Sequence, residues 1–343
     1  MTAVFVPIPR AARGGLGETA DAEPQMKRAF VFPGQGSQAP GMGLALAAAF
    51  RPARRLFEEV DDALSQHLSR LMFDGPEREL MLTENAQPAL LAVSLAVLRV
   101  LEAEAGFDIA GSAAGGAGAA YVAGHSLGEY SALAAARAFS LADAVRLVKR
   151  RGRAMQEAVP VGEGAMAALL GLDLAAARDI CREAAGGLVC ALANDNSPGQ
   201  IVVSGHTVAV ERAAALAGER RARAVMLPVS APFHCPLMAP VADLMREALA
   251  ETPPQSPVVP LVANVTAAAT QDAEEIGELL VEQVTCMVRW RETVELFAAD
   301  AVEEVIELGA GRVLSGLVRR IDRTLGAVSI GTPEDLEALV RRL

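Results

Sequence analysis

Apolar runs alternate along the chain with amphipathic stretches, in the order expected of an α/β protein. The first strand is "RAFVF", beginning at Arg28, and it runs into the glycine-rich loop "PGQGSQAPGMG". A second apolar run, Tyr121-Val122-Ala123, ends in the turn Gly124-His125-Ser126-Leu127-Gly128, and a helix-forming segment follows at once. In "SLADAVRLVKRRGRAMQEAV", Leu141, Ala144, Val145, Val148, Gly152, Met155 and Val159 recur at helical period, with Lys149, Arg150 and Arg153 opposite them. Ser140, with Asp143 three residues on, predicts the cap that starts this helix.

The periodicity changes between Gly164 and Ser230. "AMAALLGL" reads as a strand, "LAAARDICREAA" as a helix, and "LVCALAND" with "QIVVSG" as a hairpin across Asn196-Ser197-Pro198-Gly199. "VAVERAAALAGER" then reads as a helix and "RAVMLPVS" as a strand. This β-α-β-β-α-β order predicts a ferredoxin-like subdomain over residues 161–228. Later strands, "PLVANV" and "VEEVIELG", rejoin the first sheet, so the core comprises residues 27–160 and 229–343. Residues 1–26 mix Pro, Gly, Ala and Arg without periodicity and read as a disordered extension, with Met26 as an alternative start. That segment lacks the features of a secretory signal, and Glu18, Asp21 and Glu23 do not suit a transit peptide.

Composition narrows the function classes. At 52% apolar, the 343 residues can bury a large core. A net charge of -11 argues against generic nucleic-acid binding, although a local basic patch for an acidic partner remains compatible with it. The sequence contains no 18-residue uninterrupted apolar stretch, so no membrane span is expected. Cys181, Cys190, Cys235 and Cys286 show neither CxxC spacing nor a disulfide framework, which predicts a reduced, cytoplasmic protein.

The candidate chemistry centres on Ser126. G-x-S-x-G between a strand and a helix is the pattern of a nucleophile elbow; the alternative is a β-to-α turn whose serine caps the helix. A serine nucleophile needs a base, and four histidines are available. His125 adjoins the serine and should point away from its Oγ, His67 lies on a polar helix face, and His206 opens a helix of the subdomain. His234, in the proline-bracketed loop "VSAPFHCPLM", is the remaining candidate. Gln35 lies just past a strand end, where open α/β sheets bind ligands. Its loop has neither the P-loop nor the G-x-G-x-x-G spacing. Arg151 falls at the edge of an apolar helix face, which suits a structural ion pair, a side chain snorkelling to solvent, or bidentate recognition of a substrate carboxylate.

Several blocks, in order, carry a family resemblance: "FVFPGQGSQAPGMG", "TENAQPALLA", "AGHSLGEYSALAAA", "RGRAMQEAVPVGEGAMAALLGL", "NDNSPGQIVVSG", "PVSAPFHCPLM" and "VRWRETV". From about Lys27 onward the chain resembles the malonyl-CoA:acyl carrier protein transacylases of bacterial fatty acid synthesis. The resemblance implies an α/β-hydrolase-like core with the ferredoxin-like insertion. It makes Ser126 the acylated nucleophile and His234 its base, with the backbone carbonyl of Gln283 orienting the histidine in place of an aspartate. Arg151 becomes the malonyl-carboxylate ligand, Gln87 a pocket residue, and the backbone N–H groups of Gln35 and Leu127 the oxyanion donors. Phe233, beside the base, would narrow the pocket against branched acyl groups.

The implied reaction needs no metal or bound cofactor; a coenzyme A thioester is substrate. Malonyl-CoA and acyl carrier protein are the expected partners of a monomeric enzyme that binds neither nucleic acid nor membrane. Because the family's carrier protein is acidic, docking calls for a basic patch, with Arg220, Arg221 and Arg223 or Arg319 and Arg320 as candidates and Arg223 and Arg320 singled out. A polyketide acyltransferase, or a serine hydrolase or thioesterase, would share the same elbow.

Overall fold

The computed structural model describes residues 26–111, 118–229 and 231–342. The proposed N-terminal extension therefore lies outside the described residues up to position 25, as does part of the Ala/Gly-rich segment before Tyr121.

Among the described residues ten strands form two sheets. The larger contains β1 (Arg28–Phe32), β2 (Ala119–Gly124), β7 (Leu261–Val262), β8 (Ala269–Thr270), β9 (Glu304–Leu308) and β10 (Gly326–Ile330), in the order β10-β9-β1-β2-β7-β8. All are parallel except β8, which pairs antiparallel with β7. The central strand β1 is buried along its whole length, as a parallel strand covered on both faces must be. Its side chains alternate. Phe30 and Phe32 enter the main core with Leu90, Tyr130 and Val148, whereas Ala29 and Val31 meet Trp290, Phe297 and Leu314 on the other face.

The smaller sheet contains β3 (Gly164–Leu170), β4 (Cys190–Ser197), β5 (Gln200–His206) and β6 (Arg223–Met226), in the antiparallel order β4-β5-β3-β6. The helices Leu174–Ala185 and Thr207–Glu219 bury Ile180, Val210 and Ala213 against Leu169, Ile201 and Val203 on one face. Met166, Ala168 and Val202 on the opposite face pack with Leu227 and Phe233. Two local expectations change. The last strand stops at Met226 rather than continuing through Pro228, which has no N–H for a ladder. The hairpin turn contracts to Pro198 and Gly199 because β4 continues through Ser197, and the positive φ of Gly199 (+73°) closes it.

This sheet is fastened to the larger body through β4. The Asp195 and Val288 backbones exchange hydrogen bonds with the opposite strand segment (Asp195 N to Val288 O, 2.9 Å; Val288 N to Ala193 O, 2.9 Å), and Arg291 donates to the buried Asp195 carboxylate at 2.8 and 3.0 Å. The helical span Thr83–Ala105 is long and apolar enough by composition to cross a membrane, but 83% of its apolar window is packed inside the protein. It is the central core helix, and Gln87 on its first turns faces the site described next.

Candidate active site

Ser126 stands on a turn that only glycines can flank. A Cβ on Gly124 would lie 1.9 Å from the Gly128 carbonyl carbon, and one on Gly128 would lie 2.1 Å from the Phe32 carbonyl oxygen. Strand, turn and helix are thereby brought into backbone contact, and the His125 N–H donates to the Phe32 carbonyl at 3.1 Å. Ser126 itself takes φ +53°, a left-handed conformation that costs a non-glycine residue about 1–2 kcal/mol. Asn264, just beyond the end of β7, holds it there. The Asn264 Oδ1 accepts from the Ser126 N–H at 2.8 Å, while its Nδ2 donates to the Gly124 carbonyl at 2.6 Å.

His234 Nε2 lies 2.8 Å from Ser126 Oγ. Its Nδ1 lies 2.9 Å from the Gln283 carbonyl oxygen, an acceptor only, so the proton sits on Nδ1 and Nε2 is free to accept from the serine. Burial pushes the His234 pKa down to about 3, reinforced by the nearby Arg151 guanidinium and His125 and opposed by the bond to Gln283. The ring is therefore neutral at neutral pH, with Nε2 able to accept a proton. The other histidines are engaged elsewhere. His125 bonds Asn196 Oδ1 at 2.8 Å, His206 Nδ1 accepts from the Val189 N–H at 3.0 Å, and His67 is solvent-exposed beside Asp61.

Arg151, assigned by periodicity to the edge of an apolar face, is almost wholly buried. Its Nη1 donates to Gln87 Oε1 at 2.9 Å, and its Nη2 to Gln283 Oε1 at 2.8 Å and to Ser126 Oγ at 3.1 Å. The guanidinium also lies 5.7 Å from the centre of the Tyr130 ring. Among the described residues no carboxylate forms an ion pair with it, and its Nε has no acceptor. Its side chain thus neither forms a structural ion pair among the described residues nor snorkels to solvent. It is a buried cation held by neutral amides and the Ser126 hydroxyl, with no counter-charge in direct contact among the described residues.

These groups share a cleft of about 620 Å³, lined also by Gln35, Leu127, Met155, Met166 and Phe233. Arg78 and Arg151 are its cations, and among the described residues no Asp or Glu lines it, although the chain carries net charge -11. Gln35 and Leu127 both line the cleft, and the backbone N–H of neither donates to a backbone or side-chain acceptor among the described residues. The two arginines singled out for docking lie away from it. Arg223 pairs across the smaller sheet with Leu170, four residues along β3 from the cleft-lining Met166. Arg320 donates to Gln200 Oε1 at 3.0 Å, and Gln200 pairs with the same Leu170 from the other side. Sequence reasoning missed two participants, Asn264 and Glu129, the latter a buried acid three residues after the serine.

Comparison with known proteins places this geometry. The acyl transferase domain family matches residues 29–332, so the fold and elbow are those of an acyl transferase. The malonyl CoA-acyl carrier protein transacylases of Bacillus subtilis strain 168 and Escherichia coli K12 are each 46% identical to this chain, over 92% and 90% of it and 97% of their own lengths. A crystal structure of acyl-carrier-protein-S-malonyltransferase from Bartonella henselae superposes with a TM-score of 0.89 at 52% identity, covering 92% of this chain and 99% of the other. A malonyl-transacylase solved in complex with a holo type II PKS acyl-carrier protein matches with a TM-score of 0.87 at 43% identity, covering 92% and 100%. The chain belongs to the malonyl-CoA:acyl carrier protein transacylase family.

Proposed function

We propose that the enzyme transfers malonyl groups from malonyl-CoA to the phosphopantetheine thiol of acyl carrier protein through a malonyl-serine intermediate. The observation that carries this reading is the buried Arg151 guanidinium, bonded to Ser126 Oγ and free of any carboxylate partner among the described residues. Such a group distinguishes an acyl donor with a free carboxylate from one without.

In the first half-reaction, Ser126 Oγ attacks the thioester carbonyl carbon as His234 Nε2 takes the hydroxyl proton. The carbonyl π electrons move onto oxygen, and the backbone N–H groups of Gln35 and Leu127 receive that oxyanion, each worth about 3 kcal/mol. Collapse of the intermediate breaks the C–S bond, and the imidazolium returns its proton to the departing coenzyme A thiolate. Gln283 O stabilises the imidazolium through Nδ1–H. The second half-reaction repeats these steps with the carrier-protein thiol as nucleophile and Ser126 as leaving group. Gln87 positions the Arg151 fork, and Phe233 limits the width of the acyl pocket.

The order β4-β5-β3-β6, with two helices on one face, supports reading residues 161–228 as a ferredoxin-like insertion. The parallel sheet with its elbow after β2 supports an α/β-hydrolase-like core for residues 27–160 and 229–343. The carrier protein docks on Arg223 and Arg320, which flank one end of the smaller sheet. Fatty acid chain elongation is the destination of the malonyl group. The 43% identical malonyl-transacylase solved with a type II PKS acyl-carrier protein favours polyketide supply as the second reading.

A two-stage assay tests the transfer. Enzyme loaded with malonyl-CoA and freed of nucleotide should pass malonyl to added holo carrier protein faster than it releases malonate. Release of free malonate as the main product would instead make the enzyme a thioesterase.

A further inference from the structure

Arg151 reaches no carboxylate directly, yet one stands a single amide away. Glu129 is almost completely buried, and both its oxygens accept hydrogen bonds: Oε1 from the Asn264 N–H at 3.0 Å and Oε2 from Gln283 Nε2. The second hydrogen of that Nε2 goes to the Ser126 carbonyl at 3.0 Å. With both donors so committed, the Gln283 amide turns Oε1 toward Arg151 Nη2 at 2.8 Å. The Gln283 backbone carbonyl meanwhile orients His234. One residue thus joins an acid, the arginine, the nucleophile's backbone and the base.

We propose that Glu129 is a positioning residue for malonyl selection, fixing the Arg151 guanidinium through the Gln283 side chain while leaving its remaining N–H groups open to the substrate carboxylate. This inference rests on the reading of Arg151 as the malonyl ligand. A carboxylate touching Arg151 directly would stabilise it better but would neutralise, by ion pairing, the charge that the substrate carboxylate needs. A carboxylate one amide removed supplies the counter-charge and constrains the geometry without that direct pairing.

Only a carboxylate fits position 129. It faces one donor on each oxygen, and carboxylate oxygens are acceptors alone. In Glu129→Gln the side chain keeps its shape but sets its own NH2 against either the Asn264 N–H or Gln283 Nε2, whichever way the amide is turned. Burial pushes the Glu129 pKa up to about 7, opposed by the Asn264 N–H, Gln283 and Arg151, the contacts that favour its ionised form.

The test compares malonyl-CoA and acetyl-CoA as acyl donors for the wild type, Glu129→Gln, Glu129→Asp and the exchange Glu129→Gln with Gln283→Glu, alongside thermal melting of each. Glu129→Gln should lower the malonyl-to-acetyl preference on the order of 10-fold, through a raised KM for malonyl-CoA. Glu129→Asp, which keeps the charge, should retain more of the preference. The exchange restores the hydrogen bond between positions 129 and 283 with donor and acceptor reversed and keeps an acceptor for the Asn264 N–H, but it takes one donor from the Ser126 carbonyl and seats a carboxylate on Arg151, so melting temperature should recover in part while malonyl preference does not. Equal losses for both acyl donors in Glu129→Gln, or malonyl preference that returns in step with melting temperature in the exchange, would show a merely structural acid and overturn the inference. Acylation of wild-type Ser126 is scored separately. If the wild type acquires no malonyl group, the proposed function itself has failed, whatever position 129 does.

Discussion

Ser126 and His234, whose side chains meet at 2.8 Å, both hold left-handed backbone conformations, φ +53° and +58°. Neither is a glycine, so each conformation is sustained by its surroundings: the glycine-flanked elbow and Asn264 for the serine, and the proline-bracketed loop with the Gln283 carbonyl for the histidine. These two backbones bring a hydroxyl at the end of the larger sheet and an imidazole from a distant loop into hydrogen-bond contact.

Arg151→Ala should separate the two acyl donors. Loss of a charge-assisted contact to the malonyl carboxylate costs about 2 to 3 kcal/mol, or roughly 30- to 150-fold in malonyl kcat/KM. Acetyl transfer should persist or rise. Steady-state kinetics with both thioesters measure this, and equal losses would mean that the arginine serves only the fold.

The glycines of the elbow predict a contrast in stability. Gly124→Ala and Gly128→Ala each place a Cβ within 2.1 Å or less of backbone atoms, an overlap no rotamer relieves, so each should lose about 3 kcal/mol or more. Gly316, inside the helix Val313–Ile321, has nothing within 4 Å of such a Cβ, and Gly316→Ala should gain up to about 1 kcal/mol. Urea unfolding of the three variants checks the order.

How far the site was legible in the sequence depends on whether a residue's role is local. The elbow is local, since strand, turn glycines and helix are contiguous, and Ser126 could be read from five residues. The helix around Arg151 was equally plain, yet its burial was not: periodicity gives an angle on the helix, and the depth depends on the helix Thr83–Val100 packed over it. His234 was reached by comparing four histidines, while Gln283 and Gln87 came only with the family resemblance. Asn264 and Glu129 left no signal. An asparagine after a two-residue strand and an acid in a helix's first turn look like ordinary turn and dipole residues, and only the closed sheet brings them beneath the serine. The smaller sheet's strand order followed from its β-α-β-β-α-β pattern, apart from the shortened last strand.

Asn264→Ala should injure catalysis more than folding. It strands the Ser126 N–H and the Gly124 carbonyl in a buried turn, costing about 1–3 kcal/mol of stability. The left-handed serine would then lose its anchor, and acylation should slow more than the fall in folded fraction explains. Stopped-flow acylation beside an unfolding curve separates the two.

Acid stability should carry the signature of His234. Its folded pKa, about 3, lies below the ordinary 6.5, so the unfolded chain binds a proton that the folded one refuses. The resulting stability is fully present above pH 6.5 and is lost as pH falls toward 3, at up to about 1.4 kcal/mol per unit. Glu129 works in the opposite direction, since its raised pKa makes folding less favourable as pH rises from 4.5 to about 7. The comparison is therefore with His234→Gln, which should show a flatter loss of stability in acid. Parallel curves for wild type and variant would contradict a depressed histidine.

Carrier-protein docking gives a prediction confined to one half-reaction. Arg223 has no ion-pair partner among the described residues, and Arg320 bonds only a neutral amide. Charge reversal at either should raise the KM for carrier protein, most at low salt, and leave Ser126 acylation by malonyl-CoA unchanged. Unchanged carrier-protein kinetics in both variants would place docking elsewhere.

Intact-protein mass spectrometry after brief exposure to malonyl-CoA tests the central claim most directly. The wild type should gain one malonyl unit, located by peptide mapping on Ser126 and removed by holo carrier protein, and Ser126→Ala should gain none. A malonyl adduct on Ser126→Ala at the wild-type rate, or none on the wild type while transfer proceeds, would contradict the covalent mechanism.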